Sequence, residues 1–362
     1  MRPVVGHVVS VLVFLLAVTV VAELADAAGV FAAAATITAR LGRGRVWLLW
    51  LWCVLLATSA TIFLSIDTTA VLLTPVVLAM AARLGLPALP FAMTTVWLAN
   101  TASLLLPVSN LTNLLSMWAF GRFGIGTHAY VALMWRPALA VVATTTAVLA
   151  VMFGRQLRGR YRLDGGLPAP PSDRTLFMLA STVCAVLVAV FASGVPVVYP
   201  TVGAAIVLVL AYAVRQPSAL RPGLVPWRMV GLAAALLAAV GFARWLGLTE
   251  LLSTALPAGT GSGALVGLGA AAAVSANLVD NLPSYFALAP VAGDHPLRLA
   301  AVLVGTNVAP VLTLWASMAN LLWRQRCRRA GLTVSAADFA WRGAVLGPLA
   351  VAAGLASLVL VR

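Results

Sequence analysis

Lysine is absent from the 362 residues, and charged residues of every kind make up only 9% of them. A soluble domain carries about a quarter of its residues charged, so that class is excluded. The net charge of +14 comes entirely from arginine. Those arginines punctuate the gaps between apolar runs instead of gathering on one basic surface, which excludes nucleic acid as a partner. Cysteine is scarce too. Cys53, Cys184 and Cys327 lie far apart and follow neither a paired nor a metal-ligand spacing, which argues against a disulfide framework and a thiolate metal site. There is no zinc-type histidine cluster and no serine with an evident base, so an enzyme is not expected. No cofactor is expected either, a coupling proton or sodium ion apart.

What fills the chain is apolar. Hydrophobic residues reach 62%, mean hydropathy is +1.05, and several runs attain the roughly twenty apolar residues that a bilayer span requires. The fold class is therefore an all-α polytopic membrane protein, with the lipid bilayer as its first partner.

Residues 8–28 read as a first span. Arg2, the apolar run and Ala25-Asp26-Ala27 imitate a secretory leader, but 8–22 is at the long limit for one, and the region is echoed at 229–246. Glu23 and Asp26 fit a structural role, paired with Arg40 or lipid-interface groups, better than a proton relay. Residues 46–83 form a re-entrant hairpin around Asp67, each arm being short for a full crossing once the polar tip is removed. Residues 91–120 could cross, but the interruption from Asn100 to Asn110, with Pro107 inside it, implies a broken helix. Residues 128–154 are an ordinary span, and 155–174, rich in arginine, glycine and proline, is a loop. Two spans follow, 176–192 and 197–214, joined by a tight turn at Ser193-Gly194-Val195-Pro196. A second hairpin at about 264–293 around Asp280, a second broken helix at about 299–323 and a last span at 339–361 complete the chain. The expected organisation is a first repeat over 1–154, shortened at its N-terminus, a loop over 155–174 and a second repeat over 175–362.

One gapless offset of 207 positions carries Asn100 onto Asn307, Asn113 onto Asn320 and Gly124 onto Gly331, which supports an internal repeat. Counting crossings places all but Arg2, Arg122, Arg136, Arg244, Arg298 and Arg362 of the 23 arginines on one side. That side, with the loop 155–174, is expected to be cytoplasmic. An odd number of crossings separates the hairpins, so they enter from opposite faces as inverted repeats.

Polar islands in lipid need a job. Asp67 with Thr68 and Thr69, and Asp280 with Asn281, sit where a hairpin tip opens the N–H groups of its outgoing helix. Their oxygens either cap those groups or face a substrate. In the breaks, Asn100, Thr101, Ser103, Ser109, Asn110 and Asn113, and Asn307, Thr313, Ser317 and Asn320, either satisfy proline-kinked helices or form one site built by both repeats. Two breaks, each following an acid-bearing hairpin at similar distance, favour the shared site. The tips and breaks hold two carboxylates and no arginine. A polyanion fits that poorly; a neutral polyhydroxyl solute or a cation fits better, with Asp67 or Asp280 exchanging a proton.

The run Phe63-Leu64-Ser65-Ile66-Asp67-Thr68-Thr69 through Thr74-Pro75, followed by Asn100-Thr101-Ala102-Ser103 and Ser109-Asn110-Leu111-Thr112-Asn113, resembles the hairpin and broken helix of arsenite/antimonite efflux permeases in the ion-transporter superfamily. Asp280-Asn281-Leu282-Pro283 and Asn307-Val308-Ala309-Pro310 are similar to that family's second pair. The resemblance implies a secondary active transporter of elevator type, often dimeric, that exports a neutral trihydroxide in exchange for protons, sometimes with an ATPase subunit as partner. Two departures stand out: Ile66 where the family pattern has Asn, and Asn100 and Asn307 where it often has an acid. They put the weight of coupling on Asp67 and Asp280. Superfamily relatives carry sodium and dicarboxylates, so a sodium- or proton-coupled anion transporter is the alternative, and a membrane subunit without transport of its own is another.

Overall fold

Peptide groups that leave water must be satisfied within their own segment, and this chain answers with helices almost throughout. The computed structural model describes residues 2–163, 173–193, 195, 197–221, 224, 227–293 and 295–360. Residues 164–172 of the expected loop, and Gly194 and Pro196 of the expected tight turn, lie outside the described residues. Seven described helices are long and apolar enough to cross a membrane, or up to eight if a bent pair counts as one span.

That bent pair is α1 (Arg2–Ala27) and α2 (Val30–Leu41), set at 60° to each other. The chain turns there on Gly29 at φ 86, a left-handed conformation that a Cβ disfavours. The first hairpin consists of α3 (Val46–Phe63), a reversal at Leu64 and Ser65, α4 (Ile66–Thr68), a π-helical turn at Thr69–Leu73, and α5 (Thr74–Arg83). Helix α6 (Ala88–Thr101) then gives way to 3-10 turns at Ala102–Leu104 and Pro107–Ser109 before α7 (Leu111–Gly121). The long α8 (Thr127–Phe153), α9 (Arg174–Ala192) and α10 (Val198–Arg215) follow. Next come α11 (Trp227–Trp245) and α12 (Leu248–Ala255), which turn on Gly247 at φ 96 and so repeat the device of Gly29. The second hairpin is α13 (Ser262–Val279) and α14 (Asn281–Ala292). The second broken helix is α15 (Pro296–Val308), 3-10 turns at Ala309–Val311 and Leu314–Ala316, and α16 (Met318–Arg329), with α17 (Ala336–Val359) closing the chain.

The offset of 207 holds turn by turn. Both 3-10 turns of the first break map onto those of the second, and the first residue of α7 maps onto the first of α16. The residues before those helices, Asn110 (φ −149, ψ 143) and Ser317 (φ −150, ψ 135), share one extended conformation.

The hairpin arms are longer than the sequence suggested: α3, the run from Ile66 to Arg83 and α13 each have 18 residues, enough by length to cross. They are nevertheless re-entrant, because both tips line the same cavity as the interrupted middles of the broken helices. An arm that crossed completely would leave its tip at a membrane face.

The apolar interior forms two large cores and a small third one, in which Ala22 of α1 and Phe31 of α2 pack against Leu72 of the first hairpin. The larger of the two joins both hairpins and both broken helices with α8 and α17. The other large core holds α1, α9 and α10 and reaches Leu106 and Val108 of the first break; there Phe14 stacks edge-on against Phe191, and the Tyr212 hydroxyl donates to the Leu24 carbonyl at 2.7 Å. In the larger core α13 and α15 touch backbone to backbone, since a Cβ on Gly305 would overlap the Gly269 carbonyl oxygen. Glu23 and Asp26 of α1 are half-buried, and the guanidinium that bears on both is Arg326 of α16, not the expected Arg40.

Candidate substrate site between the hairpin tips

The two tips reverse the chain by different means. In the first, the Ser65 hydroxyl accepts the Thr68 N–H at 3.2 Å and caps α4. Thr68 and Thr69 are buried and serve the turn: Thr68 Oγ1 lies 3.0 Å from Ser65 Oγ, and Thr69 Oγ1 lies 2.8 Å from Thr61 Oγ1. Thr74 then donates to Thr95 at 2.9 Å, which fixes the hairpin to α6. Asp67 is left over. Its carboxylate has no hydrogen-bond partner among the described residues, and it faces a cavity. In the second tip the capping residue is the carboxylate itself, Asp280, whose Oδ1 accepts the Leu282 N–H at 3.0 Å. Counted from the helix each tip opens, Asp280 therefore corresponds to Ser65 and not to Asp67. Asp280 also sits at φ 90 and ψ 153, a conformation that costs a residue other than glycine about 1–3 kcal/mol.

The breaks are braced by carboxamides in a pattern that obeys the repeat. Asn113 Nδ2 donates to the carbonyls of Ser103 (2.5 Å) and Leu106 (3.2 Å); Asn320 Nδ2 donates to those of Pro310 (2.6 Å) and Thr313 (3.1 Å), the same positions 207 residues on. Across the repeats, Asn100 Nδ2 donates to Asn320 Oδ1 at 2.8 Å, and its counterpart Asn307 Nδ2 donates to Asn113 Oδ1 at 2.6 Å. Carbonyls freed by the 3-10 turns are thus satisfied at depth, where water cannot do it. Thr101 donates to the Trp97 carbonyl, Ser103 to that of Asn100, and Ser109 to those of Ser103 and Leu106. Thr313 is tied to Asn277 of α13, whose side chain accepts its N–H at 3.1 Å and its hydroxyl at 3.0 Å.

Five of the expected residues therefore meet at the cavity: Asp67, Asn110, Asp280, Asn281 and Ser317. The cavity measures about 60 Å³ and is completed by Leu15 of α1, Ile66, Leu111, Leu282, Met318 and Ala319. The other ten expected residues hold the tips and breaks in shape. Residues that sequence reading missed are Ser65, the true cap of the first tip; Thr112, whose hydroxyl donates to Asn307 Oδ1 at 2.7 Å; Asn277; and Leu15. Asn277 was findable as a lone amide three positions before Asp280 in an apolar run. Leu15 carries no signal, being one leucine in a run of them.

The starts of α7, α14 and α16 converge here, each presenting backbone N–H groups. Against them stand two carboxylates, one serine hydroxyl and two amides, with no cationic side chain in the lining. Asn110 is buried; its Oδ1 accepts the Thr112 N–H at 3.3 Å, and its Nδ2 has no partner among the described residues. The site can therefore accept hydroxyl protons through the carboxylates and donate to an oxygen from the Asn110 amide.

A cavity lined by two hairpin tips and two broken helices, with two carboxylates among its residues, is the arrangement of a membrane transporter. A family model described as CitMHS, citrate transporter, matches residues 4–319. The arsenical pump membrane protein of Escherichia coli K12 is 30% identical over 345 residues, covering 88% of this chain and 79% of that protein. The arsenical pump membrane protein of Yersinia enterocolitica is 30% identical over 344 residues with the same coverage, 88% and 79%. The solved structure of the YdaH transporter of Alcanivorax borkumensis superposes with a TM-score of 0.52 at 18% identity, over 97% of this chain and 83% of that one; it shows the fold. The chain belongs to the CitMHS transporter family and is of the arsenical pump membrane protein type. It is a multi-pass plasma membrane protein.

Proposed function

We propose that this protein exports arsenite or antimonite as the neutral trihydroxide, in exchange for protons. The observation that carries the reading is the cavity itself: small, lined by two carboxylates and an unpaired amide donor, and without a cationic side chain. A trihydroxide offers O–H donors to Asp67 and Asp280 and lone pairs to Asn110 Nδ2. A tricarboxylate is several times larger and would bring negative charge beside two carboxylates at short range in low dielectric. The relatives that are arsenical pump membrane proteins support the same choice.

Alternation is read from the two larger cores, which meet at Leu106 and Val108 of the first break. The hairpins and broken helices carry the cavity as one body, while α1, α9 and α10 form the other, and Leu15 of α1 closes the cavity from that side. Sliding one body past the other uncovers the site on either face of the membrane. Asp67, free of any capping duty, is the carboxylate that exchanges the proton. Expression in an arsenite-sensitive host tests the reading. The wild-type chain should raise the tolerated arsenite concentration about tenfold, and Asp67→Asn, made at equal membrane abundance, should return it to the host level. Unchanged tolerance with the wild type refutes export.

The description of the family model supports a second reading, uptake of a carboxylate anion such as citrate with a coupling cation. Sodium-dependent citrate accumulation in proteoliposomes, with no arsenite flux, would establish it in place of the first.

A further inference from the structure

Helix starts exposed in a cavity attract anions, and two of those meeting here, α14 and α16, are twelve residues long. The chain supplies the anion for them. Asp280 accepts the Leu282 N–H in α14, and it lines the cavity together with Met318, the first residue of α16. A second observation marks where an occupant sits beside it: Asn110, only 5% exposed, lines the same cavity with an Nδ2 that has no partner among the described residues. The position equivalent to Asp280 in the first hairpin is filled by a neutral hydroxyl, Ser65. A carboxylate is therefore not what the turn requires, and the left-handed backbone at residue 280 favours glycine over it.

We propose that Asp280 sets the charge class of the cargo: it is a tethered anion occupying the cradle that α14 and α16 would otherwise offer to an organic acid, so that the site admits a neutral polyhydroxyl solute and rejects carboxylates. An external carboxylate must displace a group held in place by its own chain, whose effective concentration it cannot match. If it enters without displacing Asp280, it stands beside both Asp280 and Asp67 in a water-poor cavity. Removing the Asp280 side chain frees the Leu282 N–H, takes the negative charge away from the start of α16 beside it, and leaves Asp67 as the only carboxylate in the lining. The inference rests on the cavity being the substrate site proposed above.

The test uses the full-length chain in proteoliposomes, with succinate as the anion probe and arsenite flux read on the same preparation. Wild type and Asp280→Glu should show neither succinate uptake nor a succinate-dependent rise in melting temperature. Asp280→Gly, which suits φ 90, should take up succinate and respond to it at a concentration at least tenfold below any wild-type response. Asp67→Asn should stay indifferent to succinate, because it removes a negative charge without opening the cradle. If Asp280→Gly does not assemble, Asp280→Ser, which keeps a capping oxygen as Ser65 does, is read on the same scale. The proposal is overturned if wild type responds to succinate as well as these variants do, if the variants stay blind to it, or if Asp67→Asn gains as much. Arsenite flux separates the two readings. A wild type that carries no arsenite while Asp280→Gly gains succinate ends the export reading and leaves this one standing; a wild type that carries arsenite while the variants ignore succinate does the reverse.

Discussion

The two hairpins follow one backbone plan and reach one cavity, yet they arrive with different chemistry. The first caps its outgoing helix with Ser65 and leaves the Asp67 carboxylate unpartnered, whereas the second uses the carboxylate of Asp280 as the cap. A carboxylate that caps a helix cannot change its charge without disturbing that helix end; one that caps nothing can. Backbone pseudo-symmetry therefore does not make the two halves of the site interchangeable, and each acid acquires its own task.

The hairpins are also seated differently. The arm α13 lies backbone to backbone on α15 at Gly269 and Gly305, while α3 is joined to α6 by the Trp50 indole donating to Thr94 Oγ1 at 2.8 Å. Gly305→Val should therefore be the most damaging single change outside the site, costing about 3 kcal/mol by overpacking and separating the second hairpin from its helix. Thr94→Val on the other side leaves one buried indole N–H unsatisfied and should cost about 1–2 kcal/mol. Thermal unfolding in detergent measures both. Equal losses would mean that the two seats are alike in strength.

The cross-repeat amides sharpen the comparison further. Asn100 and Asn307 make mirror-image bonds to Asn320 and Asn113, but Asn307 alone also receives the Thr112 hydroxyl. Asn307→Ala should thus destabilise by about 1 kcal/mol more than Asn100→Ala. Thr112→Val should remove most of that difference. If it leaves the gap intact, the asymmetry lies elsewhere.

Much of this was legible from the residues, for physical reasons. Membrane helices announce themselves because lipid tolerates little else, and polar islands stand out against an apolar background. Asn100, Asn113, Asn307 and Asn320 were visible as a repeat, since a buried carboxamide bracing a broken helix is hard to replace. Their task was not: sequence reading placed them with the substrate, whereas Asn113 and Asn320 spend their amide groups on carbonyls of the breaks. The different duties of Asp67 and Asp280 were illegible for a related reason. Both are acids at a tip, but the cap position is set by where the helix resumes, two residues before Asp67 in one hairpin and at Asp280 itself in the other. Leu15 was invisible because closing a cavity needs only bulk, which any leucine in α1 provides.

The smallest effect separates the two settings in which this protein uses an aspartate as a helix cap. Asp173 caps α9, accepting the N–H groups of Thr175 at 2.8 Å and Leu176 at 3.1 Å, but it lies at a helix end beside Arg215, whose Nε donates to it at 2.7 Å. The Arg215 guanidinium, with the α9 backbone N–H groups, holds its carboxyl below the usual carboxylate range. A depressed folded value means that the pair stabilises fully above the unfolded carboxylate value of about 3.9, and that this contribution fades as pH falls through the lower folded value. Asn caps as well as Asp, so Asp173→Asn removes only the ion pair. Above about pH 5 the variant should melt slightly below wild type, and the gap should close as the pH is lowered and shrink in high salt, since the pair is exposed. A gap that widened on acidification, or that ignored salt, would mean that Asp173 is held by burial in the manner of Asp280, and the contrast between a solvated cap and one enclosed in the cavity would fail.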